Sequence, residues 1–219
     1  MMKNNKKLNI GISLRVTKAE NYEEKRDTLS HDWPPLLEKI NSNIVFIPNN
    51  LHNVENFLNN FNLDGIILSG GDDIGDDQKR DQTEIKMLNF AINNRIPVFG
   101  VCRGMQVINK YFGGSIKKNN DSSHVGIPHL VNLTNKNIIS ILKINSLKVN
   151  SFHNNIITTL TLGKDIEPFA ITDIDKTVEG FFHKNLPIMG VMWHPERNFN
   201  SDNQLIIEQI FNKKLFWNE

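Results

Sequence analysis

The sequence has very little cysteine and no long apolar segment. Its single cysteine cannot form a disulfide within the chain, and a lone thiol is typical of proteins kept in a reducing compartment. No run of about 18 apolar residues is present, and the basic residues 1–7 are not followed by the apolar core of a signal peptide. We therefore expect no disulfide framework, no membrane span and no export signal, which places the protein in the cytoplasm.

An excess of charge of one sign is also missing. The chain carries 25 Lys and Arg residues against 24 Asp and Glu residues, so its net charge of +1 gives no reason to expect binding to nucleic acid or to a membrane surface. The 219 residues show no repeats and no interdomain linker. They fit one domain over residues 1–219, long enough to bury roughly 70% of the surface of the unfolded chain. A homodimer is left open.

Several binding motifs are missing as well. The chain has neither the Gly-x-x-x-x-Gly-Lys loop that binds phosphates nor a dinucleotide fingerprint. The acidic residues 71–77 lack the closing glutamate of a calcium loop. His124 and His129 do not have the spacing of zinc ligands, and no second cysteine accompanies them. The sequence thus predicts no metal site. We also expect the charged residues at 79–84 to form a solvated helix start.

Short apolar runs alternate with amphipathic segments in the first half of the chain. We predict strands at residues 8–14, 44–47, 65–68 and 98–101, and helices at 34–41, 54–61, 81–93 and 105–112. This alternation is typical of parallel strands joined by right-handed crossovers. Later segments predict short strands at 129–133, 147–149, 156–160, 169–174 and 178–182, then a core strand at 188–192 and a helix at 204–215. The fold class is α/β, with an open, mostly parallel sheet flanked by helices and an antiparallel extension in the C-terminal half.

The one cysteine lies between a predicted buried strand and a predicted helix, in the sequence Gly-Val-Cys-Arg-Gly at residues 100–104. Glycines on both sides permit a tight strand-to-helix turn that holds a nucleophile above the helix N-terminus. The unpaired N–H groups and the dipole of that terminus favour a thiolate over a thiol. We therefore predict Cys102 as a nucleophile, the alternative being a small buried side chain.

A candidate base follows the last predicted core strand. His194 and Glu196 lie two residues apart, so their side chains project the same way from an extended segment. The carboxylate can then hold one imidazole nitrogen while the other nitrogen faces the sulfur of Cys102. Both segments come after carboxyl ends of apolar strands, where open α/β sheets bind their ligands. These three residues form a candidate catalytic triad.

Three motifs in this order resemble those of class I glutamine amidotransferases. They are Leu-Ser-Gly-Gly-Asp at residues 68–72, Gly-Val-Cys-Arg-Gly-Met-Gln at 100–106 and Trp-His-Pro-Glu at 193–196. More narrowly, nearly the whole chain resembles the free-standing γ-glutamyl hydrolases of the peptidase C26 type, relatives of γ-glutamyl-γ-aminobutyrate hydrolase. The resemblance implies a flavodoxin-like sheet and cofactor-free hydrolysis of a γ-glutamyl amide through a glutamyl thioester.

The neighbours of the cysteine suggest how charge and substrate are held. The N–H of Arg103 directly follows the nucleophile and is a natural oxyanion donor. The resemblance implies that Gly71 supplies the second N–H, although Gly-Gly-Asp-Asp is also an ordinary turn sequence. In the family, a glutamine at the position of Gln106 binds the α-amino and α-carboxylate end of the glutamyl group. A helix-packing role is the alternative for this glutamine.

The resemblance places a second group of residues at the same end of the substrate. The Val-Asn-Ser-Phe-His sequence at 149–153 is similar to a segment that clasps the glutamyl group in γ-glutamyl hydrolases. It supplies Asn150, Ser151, Phe152 and His153 as substrate-binding candidates. The alternatives are a turn cap for the asparagine and the serine, and an exposed loop position for the histidine.

The leaving group is expected to contact residues outside this common core. Arg15 ends the first predicted strand, and the long segment after it contains Arg26. With Arg103 these guanidinium groups can converge on an anionic leaving group, or they can be unrelated surface arginines. The resemblance is nearer to relatives from surface-polysaccharide pathways and implies γ-glutamyl-CDP-amidate as the leading substrate. Alternatives are γ-glutamyl-γ-aminobutyrate or a related amine, a glutaminase subunit that feeds ammonia to a synthase, and a non-catalytic member.

Overall fold

The computed structural model describes residues 7–119, 124–212 and 216–217, and its strands contribute nearly half of the buried apolar residues. The strands in these residues are β1 (Leu8–Ser13), β2 (Arg15–Lys18), β3 (Lys25–Thr28), β4 (Ser42–Ile47), β5 (Gly65–Leu68), β6 (Val98–Val101), β7 (Lys117–Lys118), β8 (His129–Leu133), β9 (Ser146–Val149), β10 (Asn155–Ile156), β11 (Ile166–Thr172), β12 (Val178–His183) and β13 (Ile188–Val191).

Helices connect the strands of the first half and close the described chain. They are α1 (Trp33–Lys39), α2 (Val54–Leu58), α3 (Gln78–Asn94), α4 (Arg103–Tyr111), α5 (Lys136–Leu142) and α6 (Ser201–Phe211), with one short 3₁₀ turn at Thr159–Thr161. None of the described helices is both long enough and apolar enough to cross a membrane.

A nine-stranded sheet runs through the molecule in the order β4-β1-β5-β6-β13-β12-β11-β8-β9. The strands from β4 to β13 pair in parallel, and those from β13 to β9 pair antiparallel. Every residue of β5, β6 and β13 is buried, which is the pattern expected of parallel strands covered by helices on both faces. The predicted flavodoxin-like sheet with its antiparallel extension is therefore confirmed.

Most predicted elements of the parallel half match the structure, and the differences have local causes. The predicted loop after the first strand contains a hairpin of β2 and β3, which its charged side chains concealed because strands are usually recognised by apolar residues. The predicted strand at 156–160 is only the two-residue β10 followed by the 3₁₀ turn. Helix α5 was not predicted. The predicted end of the last helix at residue 215 lies outside the described residues, and one domain over 1–219 stays a prediction.

Candidate active site

The carboxyl ends of four parallel strands meet at one edge of the sheet. Arg15 follows β1, the turn Ser69-Gly70-Gly71 follows β5, Cys102 follows β6, and His194 lies three residues after β13. Because β1, β5, β6 and β13 are neighbours in the sheet, these residues come together at the crevice where doubly wound sheets bind ligands. The candidate site is therefore assembled from four separate segments.

Cys102 has an unusual backbone conformation at the junction of β6 and α4. Its φ of 51° and ψ of −104° lie in a region that non-glycine residues rarely adopt. The conformation is fixed from both sides, because the Cys102 N–H donates to the Val191 carbonyl at 2.8 Å and its own carbonyl accepts from the Gln106 N–H at 3.1 Å. Such strain costs on the order of 1–3 kcal/mol and is concentrated at functional sites.

The glycines beside Cys102 serve close packing rather than backbone freedom. A Cβ on Gly104 would lie 2.0 Å from the Leu68 carbonyl oxygen, and one on Gly100 would lie 2.7 Å from the Gly104 carbonyl carbon. Neither glycine has a positive φ, so the strained residue of this turn is the cysteine itself. Helix α4 can approach β5 and β6 this closely only because these two positions carry no side chain.

The thiol of Cys102 is not preformed as a thiolate. Burial is the main cause that raises the pKa of Cys102 to about 12; the Arg103 N–H lowers this pKa by less, and the Glu196 and Glu179 carboxylates add to the increase. The direction of this pKa shift is opposite to the expectation that the helix N-terminus would favour a thiolate, because loss of hydration raises the pKa more than the Arg103 N–H lowers it. Ionisation of this thiol requires a base that accepts its proton.

His194 is the basic group beside the cysteine. Its Nδ1 lies 2.7 Å from Oε1 of Glu196, and both side chains are buried. A Cβ added to Gly70 would lie 2.9 Å from His194 Cε1 and 3.6 Å from Cys102 Cβ, so the imidazole and the cysteine flank this glycine. With Nδ1 facing the carboxylate, Nε2 is the nitrogen left for proton exchange.

Asn150 holds the backbone of His194 at both of its polar groups. The Asn150 Nδ2 donates to the His194 carbonyl at 2.8 Å, and the His194 N–H donates to Asn150 Oδ1 at 2.8 Å. Because both ends of the carboxamide are used in this way, the side chain positions the imidazole. The predicted contact of Asn150 with substrate stays a prediction.

The other residues of this segment divide between the site and the interior. Phe152 is exposed and meets the His194 ring edge to face at a centroid distance of 5.8 Å, and the Arg197 guanidinium lies over the Phe152 ring at 4.5 Å. Ser151 is buried and donates to the His124 carbonyl at 2.5 Å. His153, which could have been an exposed loop residue, is also buried, with Nδ1 3.0 Å from the Asn155 carbonyl.

Gln106 lies on α4 one turn after the cysteine and is buried. Its Nε2 lies 3.8 Å from the Met192 sulfur, which is a weak acceptor. The amide group is therefore poorly satisfied inside the protein and retains the capacity to bind a polar ligand. Its predicted contact with the glutamyl group stays a prediction.

The turn after β5 is shaped by a buried arginine. The Arg80 Nη2 donates to the carbonyls of Ser69 at 3.1 Å and Gly70 at 2.8 Å. In a trans peptide the C=O and N–H point in opposite directions, so the Gly71 N–H faces away from Arg80. Gly71 has a φ of +122°, and a Cβ there would approach Arg80 to 3.0 Å, which explains why this position is glycine.

Beneath the turn, α3 carries a buried network of charges. Arg80 and Glu84 pair at 3.2 Å on one face of the helix, Arg103 contacts both Glu84 and Asp81, and Ser13 Oγ donates to Glu84 at 2.8 Å. The side chains of Arg80, Glu84 and Arg103 are at most 2% exposed. The expectation of a solvated helix start is therefore wrong for Arg80 and Glu84, whereas Lys79 is exposed as expected.

Only part of the expected arginine cluster faces the site. The Arg103 side chain is held in the buried network, and Arg26 pairs with Glu24 on the exposed hairpin, so neither converges on a leaving group. Arg15 is 43% exposed and pairs with Asp72 at 2.8 Å. It lines a narrow cleft of about 30 Å³ together with Gly71, His194, Glu196 and Arg197, among others.

Arg197 is a site residue that the sequence analysis missed, although it directly follows the Trp-His-Pro-Glu sequence. A larger concavity of about 590 Å³ is formed by the hairpin residues 18–25 alone, away from Cys102 and His194. The narrow cleft is the better candidate for the substrate because His194 and Glu196 line it.

A family model and two relatives all connect the chain to enzymes that hydrolyse amides. The family model for class I glutamine amidotransferase matches residues 27–214. The γ-glutamyl-CDP-amidate hydrolase of Campylobacter jejuni is 32% identical over 209 residues, covering 92% of this chain and 96% of that protein. A glutamine-hydrolysing GMP synthase subunit of Methanococcus vannielii is 31% identical over 161 residues, covering 74% of this chain and 79% of that protein.

Solved structures show the same fold. A Thermoplasma acidophilum protein described as a GMP synthase subunit superposes with a TM-score of 0.72 at 23% identity, covering 94% of both chains. A glutamine amidotransferase from Thermotoga maritima gives a TM-score of 0.64 at 15% identity, covering 86% of this chain and 76% of its own. At these identities the likeness shows the fold alone.

Proposed function

Because the chain belongs to the class I glutamine amidotransferase family, whose members hydrolyse amides, we propose that it hydrolyses a γ-glutamyl amide with Cys102 as nucleophile. One observation carries the proposal. The strained cysteine at the end of β6 flanks the same glycine as an imidazole whose other side is held by Glu196. Nucleophile, base and orienting carboxylate are the three parts that thiol-dependent acyl transfer needs.

The first half-reaction acylates the cysteine. As the sulfur attacks the γ-carbonyl carbon, His194 Nε2 accepts the thiol proton, which compensates for the raised pKa of Cys102. The carbonyl oxygen becomes an oxyanion and accepts hydrogen bonds from the N–H groups of Gly71 and Arg103. When the intermediate collapses, the C–N bond breaks and His194 returns the proton to the leaving nitrogen.

The second half-reaction releases glutamate. A water molecule gives a proton to His194 as its oxygen attacks the thioester carbonyl. The C–S bond then breaks and the sulfur recovers the proton. Glu196 stabilises the imidazolium in both halves of the cycle. The residues named here need no metal or organic cofactor for these steps.

For the substrate we infer a γ-glutamyl amide with an anionic, nucleotide-linked leaving group, of which γ-glutamyl-CDP-amidate is the leading case. The similarity to the Campylobacter jejuni hydrolase extends over 92% of the chain. In addition, Arg15 and Arg197 line the cleft beside His194. Guanidinium groups suit phosphate oxygens in charge and in geometry.

A second candidate function is a glutaminase subunit that delivers ammonia to a synthase. The similarity to the Methanococcus vannielii GMP synthase subunit favours it, since that relative also matches most of the chain. The same catalytic residues serve both functions, so only the requirement for a partner separates them. A free-standing hydrolase is active alone, whereas a glutaminase subunit depends on its synthase.

A hydrolysis screen on the purified protein tests the proposal. The substrates are γ-glutamyl-CDP-amidate, γ-glutamyl-γ-aminobutyrate, a folate polyglutamate and glutamine, each assayed for released glutamate with Cys102→Ala as the blank. We expect the highest kcat/KM with the nucleotide amidate. No hydrolysis of any γ-glutamyl substrate, or equal activity of the blank, would contradict the proposed reaction.

A further inference from the structure

Four side chains with metal-binding atoms form a buried cluster beneath the segment 150–153. They are His124, His129 on β8, His153 after β9, and Glu179 on β12. Each of these side chains is at most 2% exposed. The four residues come from separated parts of the chain, so the sequence spacing that excluded zinc says nothing about their arrangement in space.

The nitrogen atoms of the three histidines surround the glutamate. Glu179 Oε1 lies 3.8 Å from His124 Nδ1 and 3.4 Å from His153 Nε2, and Oε2 lies 3.6 Å from His129 Nε2. One ligand atom each of His124, His129 and Glu179 fall within 4.8 Å of one another. These three atoms form a candidate site for a single ion, and His153 joins it through its contact with Glu179.

These atoms lack hydrogen-bond partners in the part of the chain that the structure describes. The unpartnered atoms are His124 Nδ1, His129 Nε2, His153 Nε2 and both carboxylate oxygens of Glu179. Buried polar groups are nearly always satisfied, and leaving several of them unpaired at one point is destabilising. A ligand that accepts lone pairs from all of them would remove this cost.

The outer nitrogens of two histidines are already held. His124 Nε2 lies 2.8 Å from Asp175 Oδ2, and His153 Nδ1 lies 3.0 Å from the Asn155 carbonyl. When these outer nitrogens carry the protons, His124 Nδ1 and His153 Nε2 present lone pairs to the centre. Carboxylate and carbonyl partners on the outer nitrogen are the usual supports of metal-binding histidines.

We propose that His124, His129, His153 and Glu179 bind one Zn²⁺ ion. Zinc binds both imidazole nitrogen and carboxylate oxygen, and three nitrogens with one oxygen complete a tetrahedral set of four ligands. With Zn–N and Zn–O bonds of about 2.0–2.2 Å, neighbouring ligand atoms in a tetrahedron are roughly 3.2–3.6 Å apart. The separations of 3.4–3.8 Å between the Glu179 oxygens and the histidine nitrogens are near this range, and the ligand atoms of His124, His129 and Glu179, which spread over up to 4.8 Å, would contract around the ion.

The ion would join β8, β12 and the segment that carries Asn150. Because Asn150 holds the His194 backbone, zinc would stabilise the segment that positions the base, without taking part in any chemical step. This inference goes beyond the proposed function and does not depend on it. The alternative to the zinc site is a cluster without metal, in which the histidines only donate hydrogen bonds to Glu179.

Metal content of the untagged full-length protein provides the direct test. After growth with added zinc and dialysis against metal-free buffer, elemental analysis is expected to find about one Zn²⁺ per chain. The variants His129→Asn and Glu179→Gln should lose at least nine tenths of it. The matched controls His31→Ala and His52→Ala, which replace exposed histidines, should keep the wild-type content.

A second measurement uses only the wild-type chain, so it stays informative even if the variants fail to fold. Zinc is removed with a chelator and the protein is refilled with Co²⁺, which we expect to give visible absorption bands of a four-coordinate ion. Removal should lower Tm by several degrees, and added Zn²⁺ should restore it. Protein that contains no zinc, gives no cobalt spectrum and keeps its Tm under chelator would overturn the proposal. None of these readouts uses hydrolysis.

Discussion

At the residue scale, Cys102 combines a strained backbone with a thiol that burial keeps protonated. The positive φ holds the side chain beside the His194 imidazole, and the raised pKa prevents reaction with solutes before a base acts. We therefore expect the Cys102 thiol to react only when the imidazole accepts its proton and a substrate occupies the cleft. An exposed thiolate would react without either.

The pH dependence of alkylation follows from this state. Because the pKa of Cys102 is raised to about 12, the thiolate fraction should increase about tenfold per pH unit between pH 7 and pH 10. The rate of reaction with iodoacetamide should therefore rise throughout this range without a plateau. A rate that levels off above pH 8 would show a lowered pKa and contradict our description of the resting thiol.

Asn150 acts at the same scale through the backbone of His194. Replacement by alanine removes both hydrogen bonds, each worth about 0.5–1.5 kcal/mol, and releases the imidazole. We expect kcat to fall roughly tenfold with KM nearly unchanged. Asn154→Ala, an exposed position in the same segment, is the control. A raised KM at constant kcat would instead assign Asn150 to substrate binding.

At the scale of elements, helix α3 acts on the site through charges that it buries. Its first two turns carry Arg80, Asp81 and Glu84, which contact the turn after β5 and the Arg103 side chain on α4. Two neighbouring elements of the site are therefore held by one helix. A buried network of this kind is strongly weakened when one partner is removed.

Substitution of Arg80 tests the network. Arg80→Leu leaves the carbonyls of Ser69 and Gly70 without their donor and Glu84 with less compensation, so we expect a loss of about 3–5 kcal/mol in the free energy of unfolding. Urea unfolding measures this loss. The exposed Arg95→Lys should change stability by less than about 0.5 kcal/mol. Equal unfolding midpoints for Arg80→Leu and wild type would remove the network from our account.

The sequence predicts elements well where one physical signal decides them. Strands β5, β6 and β13 are continuous apolar runs because helices cover both faces of the parallel sheet, and such runs are easily recognised. The hairpin of β2 and β3 was missed because its strands are short, charged and exposed. Local patterns therefore predict the covered part of the sheet better than its exposed additions.

The candidate site shows the same limit. Cys102, His194 and Glu196 could be proposed because each follows a recognisable strand within a recognisable motif. The burial of Arg80 and Glu84 could not be predicted from the sequence, because charged residues at the start of a helix are solvated in most proteins. Only the tertiary contacts show that these two are buried. The histidine cluster combines residues up to 55 positions apart, from 124 to 179, and no local spacing reveals it.

At the scale of the whole molecule, the cleft is built from parts distant in the sequence. The segment from Arg15 to Trp33, the turn at residues 69–71 and the segment 194–197 each contribute a wall. Under the proposed function, we expect different segments to contact the glutamyl end and the leaving group. Arg15 and Arg197 contribute positive charge to this cleft.

This division predicts a specificity change. Arg15→Ala and Arg197→Ala should each lower kcat/KM for a phosphorylated leaving group roughly tenfold or more, because a charged hydrogen bond is worth about 1.5–3 kcal/mol. Hydrolysis of unsubstituted glutamine should change much less. The exposed Arg26→Ala, whose side chain pairs with Glu24, is the control. Equal losses on both substrates would mean that these arginines support the fold or the glutamyl end.

The most direct test of the central claim is the identification of the residue that becomes covalently modified. The protein is incubated with a glutamine-like diazoketone and its peptides are analysed by mass spectrometry. We predict one adduct per chain, located on Cys102, with hydrolysis lost in proportion to labelling and with neither label nor activity in Cys102→Ala. An adduct on another residue, or hydrolysis by Cys102→Ala, would contradict the mechanism.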